Sequence, residues 1–485
     1  MPPLRSPEHY SSRAPSWLLV AAVGAAVASA SALAFESPLV EGDPLFSLIW
    51  GTQLANGDLT TFAFGPTPHP LTVGAAAITS VLGSYGSYAA TYALFGPLSL
   101  GALSAAVFAV ARRFVSPLAG VLAVLVLITR PPILGWAATA RYDIAFGALV
   151  VGALALELSR PRRGIAPLAL LAIAGLIRPE AWLMSAAYWY WALRGADRGR
   201  RLAGAALVLL APVLWSGMDL AVTGDPLWSL HVTDDASEQL YGRFTPLENL
   251  EEGGRNLVTI AGPITLLLAP IALLRRNPPT IARLRPLLLL LAMTVGVFLA
   301  LVATGMASSE RYLLVPACLI AVLAAIAASP QGLNRNGVAI AAAVLLLIQV
   351  LARVDSAFSV RDELRPAVER NGEVRDLLAR TEVSRPVQRC PRVALPGRIV
   401  PAWAYFSGRP LQRWTFDDHG RSAPDIYIAP SPTTAAELLT RQRFDSDAGF
   451  TVPSALVPGP ASRSWRVYFA RGPACASALE PFGLP

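Results

Sequence analysis

The chain has 485 residues, of which 54% are hydrophobic and only 15% charged, with a mean hydropathy of +0.49. A soluble domain carries about 25% charged residues, so a wholly soluble fold is excluded. The net charge is +8 and every basic residue is Arg; these Arg lie mostly in short loops between apolar runs, which fits membrane orientation and not nucleic-acid binding.

In chain order, a short N-terminal segment (1–15) with Arg5 and Arg13 precedes the first apolar run. No small-residue cleavage site followed by a soluble domain is seen, so this run reads as a retained first helix. Apolar runs long enough for a hydrocarbon core of about 30 Å place spans near 16–35, 86–110, 116–134, 142–159, 164–177, 181–194, 202–222, 256–274, 286–305, 310–328 and 337–353. The runs 164–177 and 181–194 are short and read either as one broken helix or as two tilted ones. Arg5, Arg13, Arg112, Arg113, the 160–163 loop, the 194–201 loop and the 275–285 loop fall on one side. Far fewer, among them Arg141, Arg178 and Arg311, fall on the other. The Arg-rich side is the cytoplasmic one by the positive-inside rule. The N-terminus is then inside, in a multi-pass protein of the cell membrane, and the segment after residue 353 is outside.

Two external loops are long, about 36–85 and 223–255, and loops of that length usually carry function. Within the first, PLTVGAAAITSVLG (70–83) is too short to span and reads as an interfacial or re-entrant helix. From about 354 to 485 the composition turns polar. The stretch 361–380 reads as an amphipathic helix, and RVALPG, DIYIAP and WRVYFARG read as strands bounded by Pro and Gly. The fold class expected is an α-helical polytopic membrane protein of about eleven spans with a small extracytoplasmic α/β domain. Cys390 and Cys475 both lie in that domain, in an oxidising compartment, where a disulfide between them competes with two buried free thiols.

The residues that carry chemistry lie on the external side. Glu41 and Asp43 stand at i and i+2 just beyond the first span, and in an extended stretch both would face one way. A carboxylate there suits a general base or a divalent cation such as Mg or Mn; a solvated acidic turn is the competing reading, given Gly42 and Pro44. Arg141, Arg178 and Arg311 are external and close to the bilayer, suited to an anionic phosphate. Each has a carboxylate nearby (Asp143, Glu180, Glu310), so local ion pairs compete. His69, in a Pro-rich turn, reads as a base, a ligand or a structural residue. Asp234, Asp235 and Glu238 read mainly as a solvated face, with metal binding as the minority reading. Scarce mid-span charge speaks against an ion-coupled pump, and neither a P-loop nor a dinucleotide fingerprint is found.

This layout resembles the GT-C superfamily of polytopic glycosyltransferases, which includes polyprenyl-phosphate-mannose protein mannosyltransferases and lipid A aminoarabinose transferases. The resemblance covers about residues 16–353 and rests on the acidic opening of the first external loop, GDPLFSLIWGTQLANGDL, with GLIRPEAW (175–182) and ERYLLVP (310–316). It implies transfer of a sugar from a polyprenyl-phosphate donor to a glycan, lipid or protein acceptor outside the cytoplasm. Asp43 would be the general base, and Arg178 or Arg311, with Arg141 and Tyr312 nearby, would hold the donor phosphate. The chain departs from the Asp-Glu pair common in the superfamily, because Pro44 follows Asp43; Glu41 is the alternative second carboxylate. A lipid or polysaccharide transporter and a non-enzymatic membrane scaffold are the competing classes.

Overall fold

The computed structural model describes residues 17–470 apart from 63–64, 66, 162–163, 234–243, 275–277, 306–308, 330–335, 397–399, 417–423 and 441–451. Asp234, Asp235, Glu238 and Cys475 therefore lie outside the described residues, as does the N-terminal segment.

Each of the eleven expected spans is helical. Seven described helical stretches are by themselves long and apolar enough to cross a membrane, and two further spans are bent pairs, Pro117–Ile128 with Pro131–Ala138 (75°) and Pro246–Ala261 with Pro263–Leu273 (89°). The chain is a multi-pass membrane protein. The short runs form two helices, Ile165–Gly175 and Glu180–Leu193. Pro179 lacks the N–H that a continuous helix would need, and the break leaves Arg178 in the turn. The span Arg198–Thr223 starts where the Asp197 side chain accepts from the Arg200 amide and stops at Gly224 in the left-handed region, a serviceable N-cap and C-cap.

The helix Leu314–Ala327 is buried at every residue but Ile320. It packs against Ser99–Phe114, Pro117–Ile128, Tyr142–Ser159 and Pro263–Leu273, so the middle of the bundle is a helix that is apolar all round. The first span, Trp17–Ala34, lies against Ser99–Phe114 through glycines: a Cβ on Gly101 would stand 2.5 Å from the Gly24 carbonyl oxygen. Small residues that let backbones approach are a usual membrane contact.

The first long loop is largely helical. Gly42 has φ +67° and turns the chain. Asp43–Asn56 then forms a helix with Pro44 in its first turn and Gly57 as left-handed cap. This corrects the extended reading of Glu41 and Asp43, since the Gly42 turn separates them. The helix packs on Pro70–Thr79 so closely that a Cβ on Gly51 would lie 2.4 Å from that of Ala76.

The tail carries a five-stranded sheet: β1 (Val393–Leu395), β2 (Trp414–Phe416), β3 (Ile426–Pro430), β4 (Leu456–Ala461) and β5 (Trp465–Ala470). The order is β2-β1-β3-β5-β4. The β1–β2 and β1–β3 pairs are parallel, β3–β5 and β4–β5 antiparallel. β3 is buried throughout, as an apolar central strand should be. The long helix Val354–Ala379 is tied to the β4–β5 turn by Glu373, which accepts from Ser462 Oγ and from the amide and hydroxyl of Ser464. Arg409 is buried and donates to the carbonyls of Val387, Cys390, Pro391 and Arg413, which fixes the loops around β1 and β2. Burial pushes its guanidinium down to about 10, with repulsion from Arg413 adding to it. Cys390 is disulfide-bonded, and Cys318 is buried and free.

Candidate functional site

Turns between the helices bring together residues that are far apart in the chain. Asp43, at the first position of its helix, accepts from Arg311 Nη1 at 3.3 Å across 268 residues. Arg311 sits in the single turn Glu310–Leu313 that opens the central helix. The other cation, Arg178, donates from Nη1 to Asp143 Oδ1, and from Nε and Nη2 to Glu180 Oε1 at 3.1 and 2.8 Å. Both guanidinium groups lie over the Tyr312 ring, Arg178 at 4.4 Å and Arg311 at 5.7 Å.

The two Arg differ in kind. Arg178 is buried, with its side chain 10% exposed, and two carboxylates face it. Burial alone would favour the neutral guanidine; Glu180 first, then Asp143, overcome it and raise the group above its ordinary value. Removing one partner of such a pair costs on the order of 3–5 kcal/mol, so Arg178 works as an anchored charge. Arg311 is about one-third exposed; among the described residues it has one carboxylate partner and its buried Nε has none. It is the cation of the pair with hydrogen-bonding capacity left for an incoming anion.

Asp143 thus pairs with Arg178 and not with its sequence neighbour Arg141. Arg141 is exposed and lies within electrostatic reach of Asp143 and Glu310, at the edge of the cluster. Glu41 lies on the Tyr88 side of the Gly42 turn, while Asp43 faces Arg311. Among the described residues no three His, Cys, Asp or Glu side chains group so as to hold a metal ion.

His69 lies between the Asp43 and Asp143 helices. Its ring stands edge-on to Tyr142 (5.5 Å between centroids) and Trp215 (5.7 Å), and its buried Nδ1 has no partner among the described residues. Thr72 Oγ1 donates to the His69 carbonyl oxygen and shares a hydrogen bond with Ser47, one turn after Asp43. Loss of solvent lowers the imidazole below 6.5; Arg178 and Arg311 act the same way, against Asp43 and Asp143. The ring is a neutral group among charges. Sequence reading missed Ser47 and Thr72. The i, i+4 spacing of Asp43 and Ser47 would have flagged the first once the helix was known.

Arg178, Glu180, Arg311 and Tyr312 form the polar end of a cleft whose remaining lining is Phe146, Met184, Thr294, Val297, Phe298 and Val315. The apolar wall comes from the spans Pro278–Ala303, Tyr142–Ser159 and Glu180–Leu193 and from the central helix. Ion-paired cations at the mouth of an apolar cleft in a membrane bundle suit an amphiphile with an anionic head.

No family model matches the chain, and no curated protein matches it. Solved structures do. ArnT from Cupriavidus metallidurans bound to undecaprenyl phosphate is 16% identical, with a TM-score of 0.55 over 93% of this chain and 97% of that one. The same protein in the apo state gives 16% and 0.55 over 95% and 98%. An apo oligosaccharyltransferase from Archaeoglobus fulgidus gives 13% and 0.47 over 87% and 70%. The ArnT likeness establishes the fold: this chain has the membrane fold of ArnT, tail domain included.

Proposed function

We propose that the chain is a membrane glycosyltransferase that moves one sugar from a polyprenyl-phosphate donor to an acceptor outside the cytoplasm. The observation that carries the proposal is the meeting of Asp43 with Arg311 beside the polar end of one apolar cleft. ArnT shares the fold over nearly its full length and has been crystallised with undecaprenyl phosphate, which supports a donor lipid of that class.

In this reading the polyprenyl tail lies along Met184, Val297, Phe298 and Val315, and its phosphate meets Arg311, with Arg178 behind it. The acceptor hydroxyl attacks the anomeric carbon as its proton passes to the Asp43 carboxylate. The bond from that carbon to the phosphate oxygen breaks, and the electron pair leaves with the lipid phosphate, whose growing charge the two guanidinium groups stabilise. Direct displacement inverts the anomeric centre. Asp43 accepts from Arg311 and stands in the first turn of its own helix, the end of a helix that favours a carboxylate.

The test is Asp43→Asn in reconstituted vesicles supplied with undecaprenyl-phosphate-linked sugars and envelope lipid acceptors, with and without added Mg²⁺ or Mn²⁺. The variant is expected to insert, fold and bind undecaprenyl phosphate as wild type does, and to lose at least about 10²-fold in turnover, the usual scale for a general base. Normal product from Asp43→Asn sinks the assignment. A transporter would keep moving lipid in that variant and fail on changes along the cleft.

A further inference from the structure

The tail domain has no assigned task, yet it touches both ends and the middle of the segment that carries Asp43. At the start, Arg361 of the helix Val354–Ala379 pairs with Glu36 at 3.4 Å. At the far end, Gln412 Nε2 donates to Thr60 Oγ1 at 2.9 Å. Between them the helix Asp43–Asn56 packs against the tail helix Val400–Ser407.

The middle contact is the most specific. Tyr88, 3% exposed, comes from the helix Gly83–Ala93 of the bundle. Its hydroxyl oxygen accepts from the Val40 amide at 2.8 Å and from Asn371 Nδ2 of the tail at 3.4 Å. Phe406 of the tail packs on the Tyr88 ring at 5.4 Å, the Arg375 guanidinium covers Tyr85 at 5.2 Å, and Tyr405 donates to the Ser84 carbonyl oxygen at 2.6 Å. The tail therefore holds the very helix turn that holds Val40. Two residues beyond Val40, Gly42 takes its positive φ and sets the direction in which Asp43 leaves.

We propose that the C-terminal domain is a brace for the catalytic segment, with Tyr88 and Asn371 as positioning residues for Asp43; this rests on the reading of Asp43 as the base. Tyr88 is the joint: it passes the position of the tail to the backbone of residues 40–43. A carboxylate standing on a glycine turn needs such a hold, because a shift of about 1 Å at a catalytic group can cost about 10²-fold in rate.

The test is hydrogen–deuterium exchange on the detergent-solubilised full chain, comparing wild type, Tyr88→Phe and Asn371→Ala. Tyr88→Phe is expected to speed exchange in peptides spanning 38–46 by about tenfold, the scale of one lost hydrogen bond, with Leu314–Ala327 and the tail sheet unchanged. Asn371→Ala is expected to act in the same direction by a smaller factor. In the transfer assay both should lower kcat while leaving KM for the polyprenyl donor unchanged. Unchanged exchange at 38–46 in Tyr88→Phe overturns the joint. A Tyr88→Phe effect without any Asn371→Ala effect overturns the tail's part in it. Acceleration spread through the whole chain overturns both, since that is general destabilisation. The exchange result stands whether or not transfer is seen, so a failure of the transferase reading remains distinguishable.

Discussion

At the scale of residues, His69 makes the environment of the site measurable. Its imidazole stays neutral in the folded chain to a pH below 6.5, because burial and the two Arg oppose its charge. The unfolded ring protonates near 6.5. Between that value and the lower folded one the unfolded state binds more protons, so stability rises with pH through this window. The contribution is complete above about pH 6.5 and is lost as pH falls below that, through the lowered folded value. His69→Gln, which cannot titrate, should flatten this part of the curve. The check is the midpoint of thermal unfolding from pH 7.5 to 5 in detergent; equal slopes for variant and wild type would refute the assignment. What the sequence could show at this scale was the identity of the charged groups. The local pairing of Arg178 with Glu180 was legible because Pro179 turns the chain between them. The pairings of Arg178 with Asp143 and of Arg311 with Asp43 were not, since each depends on which helices become neighbours, whereas in sequence Asp143 stands beside Arg141, two residues away. Glu41 was drawn together with Asp43 because period-two spacing was applied to a stretch that a left-handed glycine interrupts.

At the scale of elements, the two bent spans meet at one place. Arg130, 1% exposed, caps the break after Ile128 by donating from Nε to the Val126 carbonyl oxygen at 3.3 Å. Gly262, φ +87°, makes the second break. The first amides of the helix after it are met by Gln349, whose Oε1 accepts from Ile264 at 2.9 Å and from Thr265 at 3.3 Å. A Cβ on Gly262 would lie 2.1 Å from Arg130 Nη2 and 2.6 Å from Gln349 Oε1. Gly262→Ala thus combines a left-handed backbone with a steric clash, and is expected to cost about 2–4 kcal/mol. Unfolding in denaturant or heat would read this directly; an alanine variant as stable as wild type would mean that the break is loosely packed. The neighbouring Gly254, with open space around its Cβ and no unusual φ, is the control. Spans were legible in the sequence because hydrophobic length suffices to find them. Breaks were not, since they show in sequence as an ordinary Gly-Pro and Arg-Pro, and only packing reveals that the freed backbone groups are met by Arg130 and Gln349.

At the scale of the whole molecule, the proposed chemistry requires that Asp43, Arg178, Arg311 and the tail share the external side. Orientation rests on Arg at helix ends and short loops: Arg112 and Arg113 lie in the last turn of Ser99–Phe114, Arg160 and Arg194 follow Tyr142–Ser159 and Glu180–Leu193, and Arg198, Arg200 and Arg201 open Arg198–Thr223. Insertion follows the positive charge of short loops and hardly responds to acidic residues, so targeting does not account for the crowding of carboxylates on the site's face. The prediction is topological. Gly195, in the loop between Glu180–Leu193 and Arg198–Thr223, is exposed with open space at its Cβ; Ala379, at the end of the long tail helix, is exposed as well. In intact cells Ala379→Cys should react with a membrane-impermeant maleimide, and Gly195→Cys should react only after the membrane is opened. The native background is small, because Cys318 is buried and Cys390 is disulfide-bonded. The reverse pattern would place the cleft mouth in the cytoplasm. That would remove the external acceptor from the proposed reaction while leaving the pairing of Asp43 with Arg311 untouched.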